Sequence, residues 1–324
     1  MKISVVIPTF RRPRLLCRCL GTLCIQEFPK SDYEIIIVSD GPDPETKHQI
    51  ELVGAGSVGL AQITFIELPG RRGPSAARNL GWKSAVGTII AFTDDDCIPP
   101  VHWLKNIWDN YHWEKNIAYS GKVIVPIPMR PTDYQRNVSR LEAADFVTAN
   151  CFCTRRALEQ VGGFDERFTM AWREDSDLEF KFLAHKIPIK HTEKASVIHP
   201  ARKSSWGVSL KEQKKNIYNA LLFKKFPGYY LTRIQSSPPW HYYIMVLSFA
   251  LFVYAAIFLS ARVYAMILLA CWLIQVGTFI RKRLSGNSKR LTHISEMIVT
   301  SLGIPFVAIF WRIYGSIKYR ALFL

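Results

Sequence analysis

Acidic residues almost vanish from the last quarter of this 324-residue chain: from His241 to the C-terminus there is one, Glu296, against nine Lys and Arg. The preceding 240 residues carry 33 basic and 25 acidic side chains, so the two parts obey different chemistry. Cys-x-x-Cys pairs and Cys/His sets at zinc spacing are also missing. The seven cysteines (17, 19, 24, 97, 151, 153 and 271) are odd in number, which argues against a disulfide framework and for a reducing compartment. The apolar stretch of MKISVVIPTF is too short for a signal peptide and runs into Arg11, Arg12 and Arg14, so the first domain is expected to be cytosolic. There is no repeat of solenoid length and no Gly-Lys-Ser/Thr of a Walker loop. No basic stripe with interleaved aromatics accompanies the net charge of +16, so nucleic acid is not the expected partner. At 49% apolar and 21% charged residues, the chain is not a disordered polymer; it must bury a core or enter a membrane.

Both apply. From Tyr242 to Ile280 the 39 positions hold a single charge, Arg262. The flanking segments, about 242–260 and 263–280, are each long enough to cross a hydrocarbon core of about 30 Å. They read as two spans joined by a tight turn at Ser260 to Arg262. The basic run 281–290 follows, and the positive-inside rule keeps it cytosolic. The last apolar stretch, about 294–314, contains Glu296, Gly303 and Pro305 and is expected to be an interfacial or re-entrant helix. The expected division is therefore residues 1–235 as a catalytic domain and 236–324 as a membrane region, in a multi-pass protein of the plasma membrane with its catalytic domain on the cytoplasmic side.

In the first part, apolar β-branched runs alternate with helical periodicity. Ile3–Ile7 reads as a buried strand, Arg14–Cys24 as a helix and Glu34–Ser39 as a second strand, a unit that starts a parallel sheet. Gln62–Leu68, a helix over Pro74–Ala85 and Thr88–Thr93 repeat the pattern. An aromatic helix follows Pro99-Pro100, then strands near Tyr119–Val125 and Thr148–Thr154, a short helix Arg155–Val161, and a polar helix from about Glu174. Thr9, Asp40 and the Asp94-Asp95-Asp96 cluster all fall at strand ends, and open α/β sheets bind ligands off those carboxyl ends. One shared site is expected there.

Three adjacent carboxylates repel one another and persist if solvated or neutralised by a cation. An Asp-x-Asp loop suits a hard divalent ion that also takes phosphate oxygens. The glycine-bounded basic loop from Gly70 to Asn79 feeds a helix N-terminus, where backbone amides, the dipole and arginines favour anions.

Six segments in order, Ile7-Pro8-Thr9-Phe10, Val38-Ser39-Asp40-Gly41, Gly73 to Asn79, Phe92 to Asp96, Val161 to Asp165 and Arg173 to Leu178, resemble the motif series of glycosyltransferase family 2. The resemblance covers about the first 200 residues. It implies a GT-A fold, an α/β nucleotide-diphospho-sugar transferase fold with a mixed sheet flanked by helices, and a metal-dependent, usually inverting reaction with a nucleotide sugar as co-substrate. By position it implies Pro8, Thr9, Arg11 and Asp40 around the nucleoside, Asp95 facing the ribose, and Arg71, Gly73, Arg78 and Asp94 as further donor contacts. It also implies Asp94 and Asp96 at a Mn²⁺ or Mg²⁺ ion, His199 as a third metal ligand, and Asp175 as catalytic base beside Glu174. Trp172 and Trp206 are candidates to stack on the acceptor. The usual Asp-Asp-Gly is Ser39-Asp40-Gly41 here, and the Gln-x-x-Arg-Trp motif of processive synthases is missing, so transfer of a single sugar is expected. The apolar C-terminal segments point to an acceptor held at the membrane: a polyprenyl phosphate, glycolipid or lipid-linked glycan. A nucleotidyltransferase and a non-catalytic membrane scaffold are the rival readings.

Overall fold

The computed structural model describes residues 1–55, 61–259 and 262–323. In chain order the elements are β1 (Ile3–Thr9), α1 (Pro13–Cys24), β2 (Tyr33–Ser39), α2 (Pro44–Ala55), β3 (Gln62–Glu67), α3 (Pro74–Ser84), β4 (Ile89–Thr93), α4 (Trp103–Asn110), β5 (Ala118–Ile124), α5 (Asp133–Val138), β6 (Asn150–Thr154), α6 (Arg155–Val161), α7 (Glu174–Ala184) and β7 (Ile189–Ile198). The chain continues through α8 (Val208–Glu212), α9 (Ile217–Lys225), α10 (Pro227–Arg233), α11 (Trp240–Phe258), α12 (Arg262–Leu284) and α13 (Leu291–Tyr319). It divides into two compact units, one of residues 1–126 and 139–201 and the other of residues 127–138 and 202–324. The second unit thus begins well before the expected boundary at 235 and takes in α5.

The first unit is built on a seven-stranded sheet in the order β3-β2-β1-β4-β6-β5-β7. Strands β3, β2, β1 and β4 run parallel; β6 is antiparallel to both β4 and β5, and β7 returns parallel to β5. Strands β2 and β4 are buried along their whole length, which is why their sequences are continuous apolar runs: a strand covered on both faces has no polar side. Side chains still alternate between faces. Ile3, Val5 and Ile7 pack with Leu16, Leu20 and Leu23 of α1 and Trp103, Leu104 and Ile107 of α4. Val6, Ile36 and Val38 pack on the other face with Ala76, Ala77 and Trp82 of α3 and Leu178 and Phe182 of α7. Helix α3 lies so close to β1 that a Cβ on Gly81 would sit 2.4 Å from Val6 Cγ1.

Two elements of this unit carry no clear signal in the sequence pattern. Helix α2 carries no strong apolar stripe, and β7 alternates exposed polar residues with buried Thr192, Ala195 and Val197. Such a strand at a sheet edge, where charge protects the open side, lacks an apolar run to reveal it. It leads directly into His199.

In the second unit α11, α12 and α13 have 19, 23 and 29 residues and mean hydropathies of 1.8, 2.1 and 1.7. Each is long and apolar enough to cross a membrane. Helix α11 starts at Trp240, and α12 runs on through Arg281, Lys282 and Arg283 to Leu284, so the first four residues of the basic run are helical and the rest is loop. The turn expected at Ser260 to Arg262 lies outside the described residues except for Arg262, where α12 begins. Helix α13 is longer than the expected 294–314 segment and passes Gly303 and Pro305 without a break, whereas a re-entrant path would have to turn. The close approach of α13 to α9 depends on Gly315, where a Cβ would lie 2.8 Å from the Ile217 carbonyl oxygen.

Candidate active site

The carboxyl ends of β1, β2 and β4 deliver Thr9, Asp40 and the Asp94–Asp96 loop as the apolar runs end. Asp40 is buried, and its Oδ1 accepts hydrogen bonds from the backbone amides of Arg72 (2.7 Å) and Gly73 (2.8 Å). These amides belong to the basic loop before α3, so one carboxylate ties the end of β2 to the N-terminus of that helix. Gly73 has φ +93°, and a Cβ there would fall 2.5 Å from the Thr169 carbonyl oxygen, a conformation and a closeness that only glycine accommodates. The guanidinium groups of Arg71 and Arg11 lie 4.6 and 5.0 Å from the Phe10 ring centre; Arg71 is largely exposed, with its Nε 3.9 Å from Asp40 Oδ2. Pro8 is half-buried at the end of β1.

Asp95 turns away from its two neighbours. It is fully buried and accepts from Thr9 Oγ1 at 2.8 Å and Arg12 Nη1 at 3.3 Å. Sequence reasoning named Arg11 and missed Arg12. Arg11 takes the left-handed backbone conformation, φ +53°, and donates its amide to Asp43, so the next side chain swings to Asp95.

Asp94 and Asp96 converge instead on His199. Its Nε2 lies 3.6 Å from Asp96 Oδ1 and 3.9 Å from Asp94 Oδ2. The other ring nitrogen, Nδ1, is buried with no hydrogen-bond partner among the described residues. Cys97 also stands in the group, its sulfur within 4.8 Å of ligand atoms of Asp96 and His199. Burial first, then the charges of Asp94 and Asp96, push its thiol well above the usual range; it donates to the Ala149 carbonyl at 3.8 Å rather than ionising. Two carboxylates and an imidazole remain as the donor set, and they fit a hard divalent ion that completes its shell with water or phosphate oxygens.

The link from this trio to the carboxylate pair is Arg78. It is 2% exposed, on the face of α3 that meets the sheet. Its Nη2 donates to Asp94 Oδ1 at 2.8 Å and its Nη1 to Glu174 Oε1 at 3.2 Å. Glu174 opens α7 after Arg173, which holds φ +72°. A non-glycine residue in that region is strained, and such strain gathers at functional sites. Burial first, then the neighbouring charge of Asp175, pushes the Glu174 carboxyl up to about 7; its Oε2 has no hydrogen-bond partner among the described residues. Asp175 keeps part of its surface open, accepts from the Ser176 amide at 2.7 Å, and is likewise raised by burial. Trp172 is half-buried, its ring under the Arg173 guanidinium at 4.6 Å.

Asn79 explains the turn Gly162-Gly163-Phe164-Asp165. Its amide nitrogen donates to the Phe164 carbonyl at 2.9 Å and its Oδ1 accepts from the Phe164 amide at 2.9 Å, pinning the turn to α3. Trp206 belongs to the second unit and is half exposed, 53%.

A profile described as glycosyl transferase family 2 matches residues 4–171, more than half of the chain. The chain belongs to glycosyl transferase family 2. A second profile, glycosyl transferase family group 2, matches residues 89–280. Among curated family relatives, the glycosyltransferase AglE of Haloferax volcanii is 27% identical over 178 residues, covering 50% of this chain and 55% of that protein. Chondroitin synthase of Escherichia coli is 24% identical over 271 residues, covering 70% of this chain and 39% of that protein. The chain therefore spans only about half or less of these relatives. Among solved structures, the mannosyltransferase PcManGT from Pyrobaculum calidifontis, in complex with GDP-Man and Mn²⁺, superposes with a TM-score of 0.59 at 18% identity, covering 94% of this chain and 87% of that one. A TarS structure from S. aureus gives 0.51 at 17% identity, covering 97% and 92%. These likenesses establish the GT-A fold.

Proposed function

We propose that this family 2 protein transfers one sugar from a nucleotide-diphosphate donor to an acceptor hydroxyl, with inversion, at a membrane surface. The observation that carries the reading is the Arg78 bridge, which joins Asp94 at the end of β4 to Glu174 at the start of α7. It sets an anion-and-cation end and a proton-accepting end side by side, as a glycosyl transfer requires. The solved neighbours in complex with GDP-Man, UDP and UDP-GlcNAc support the donor class.

In this reading Pro8, Thr9, Arg11 and Asp40 hold the nucleoside, with Arg71 toward its phosphates. Asp94, Asp96 and His199 would hold a divalent ion, Mn²⁺ or Mg²⁺, which when bound neutralises charge on the diphosphate. Asp175 accepts the proton of the acceptor hydroxyl as that oxygen forms its bond to the anomeric carbon, and the bond from that carbon to the diphosphate oxygen breaks with its electron pair leaving on the nucleotide. A carboxylate raised by burial is a stronger base than one in water, and Asp175 is the more reachable member of the pair. Glu174, tied to Arg78, orients the helix start beside Asp175. Trp172 flanks the acceptor.

Helices α11, α12 and α13 anchor the protein in the plasma membrane with the first unit in the cytoplasm, which raises the effective concentration of a hydroxyl-bearing glycolipid or lipid-linked glycan. The test is to incubate the purified full chain with Mn²⁺ and UDP-, GDP- or dTDP-sugars, with and without membrane lipid extract, and to identify the released product. Nucleoside diphosphate released only with lipid is the expected result. Equal release with soluble sugars overturns the lipid acceptor, pyrophosphate would indicate a nucleotidyltransferase, and no turnover with any donor would indicate a non-catalytic scaffold.

A further inference from the structure

The second unit holds a cavity of about 840 Å³ lined by the Pro-rich segment before α5, by residues near 204–209 and by the loop and first turns of α13. Three exposed cations line it, Arg130, Lys289 and Arg290, and no ion pair occupies them among the described residues. Its two acids are engaged by neighbours. Asp133 Oδ2 accepts from Arg283 Nη2 at 2.8 Å, and Glu296 Oε1 accepts from the Gly207 amide at 2.7 Å. Helix α13 starts in the cavity wall, and the Arg290 side chain makes no capping bond there, so the positive end of a 29-residue helix faces the space.

His293 provides the independent observation. It is 5% exposed and lines the cavity, yet neither ring nitrogen has a hydrogen-bond partner among the described residues. Glu296 Oε2 lies 3.8 Å from Nδ1, beyond hydrogen-bond distance. Buried polar atoms are nearly always paired in native proteins, and an exception points to a missing partner. With cations and a helix N-terminus around it, the partner that fits is an oxyanion.

We propose that this cavity binds a phosphate monoester or diphosphate group, with Arg130, Lys289 and Arg290 supplying charge, His293 donating a ring N–H to a phosphate oxygen, and Trp206 covering the organic part that carries the phosphate. The site lies wholly in the second unit and goes beyond the sugar-transfer reading, because binding alone reveals it. The phosphate belongs either to a lipid head group or to a soluble phosphate compound. The full chain in neutral-lipid nanodiscs with chelator is titrated with dioctanoyl phosphatidic acid, inorganic pyrophosphate, or dioctanoylglycerol as the uncharged control, and its melting midpoint is followed. A rise with phosphatidic acid alone assigns the site to a lipid head group, and an equal rise with pyrophosphate assigns it to soluble phosphates; both support the proposal. In either case Lys289→Glu/Arg290→Glu weakens binding at least tenfold and His293→Gln several-fold, with Mn²⁺ binding unchanged as evidence of a folded chain. Arg130→Glu, in an exposed loop, repeats the test if the double variant misfolds. No rise with either phosphate probe, an equal rise with dioctanoylglycerol, or binding untouched by the substitutions overturns the proposal.

Discussion

Replacing Glu174 with Gln isolates the cost of burying one carboxylate at the centre of the site. Burial, then the Asp175 charge, raises its pKa from 4.5 to about 7 even though Arg78 opposes the shift. The folded protein therefore holds this proton to higher pH than the unfolded chain does. The stability from this group is complete below about pH 4.5 and is lost as pH rises through about 7. At 1.36 kcal/mol per pH unit, ionising Glu174 in the fold costs about 3 kcal/mol at pH 8 and less than about 1 kcal/mol at pH 5. Gln has the shape of the neutral acid and avoids that cost, and Arg78 keeps Asp94 as its partner. In chelator-containing buffer, Glu174→Gln should melt clearly above the parent at pH 8 and near it at pH 5, measured by scanning fluorimetry of the full chain. A variant that melts below the parent at pH 8, or one whose offset is the same at both pH values, refutes the reasoning. It would mean that the ion pair with Arg78 outweighs the desolvation of the carboxylate.

Asp175→Asn should lower transfer by roughly 10²–10⁴-fold, the usual contribution of a general base, with little change in melting; nucleoside diphosphate release measures the first. Asp96→Asn and His199→Ala should each weaken Mn²⁺ binding at least about tenfold, followed by electron paramagnetic resonance of the free ion, since each removes one of three donors. Gly73→Ala should destabilise by at least about 2 kcal/mol, because it combines positive φ with a backbone clash; a denaturation midpoint equal to the parent's would show that Thr169 moves freely. The full chain should stay in the pellet after carbonate washing of membranes, and its appearance in the supernatant would overturn the anchoring role of α11, α12 and α13.

How much of this could be read from the chain depended on the range of the interactions. Strands β1, β2 and β4 announced themselves because burial on both faces writes a continuous apolar run, and Asp40 and Asp94 were placed because those runs stop at them. Strand β7 was silent: an edge strand with Lys190, His191, Glu193 and Lys194 has no such run, so the element that positions His199 appeared only in the fold. The choice between Arg11 and Arg12 was equally out of reach, since it turns on one residue's positive φ. Asn79 stood inside a quoted motif, but nothing nearby showed that its partner was the Phe164 backbone, 85 residues away.

Local patterning by itself determined the alternation of strands and helices, the acids at strand ends, the apolar C-terminal segments and the asymmetry of charge, because each is written in neighbouring residues. Tertiary structure alone decided that Arg78 joins carboxylates 16 and 96 residues away, that Asp40 caps a loop 32 residues on, that α13 runs unbroken, and that His293, without a hydrogen-bond partner among the described residues, lines a basic cavity. Those outcomes depend on strand order and helix packing, where a shift of one residue in register would redirect every side chain concerned.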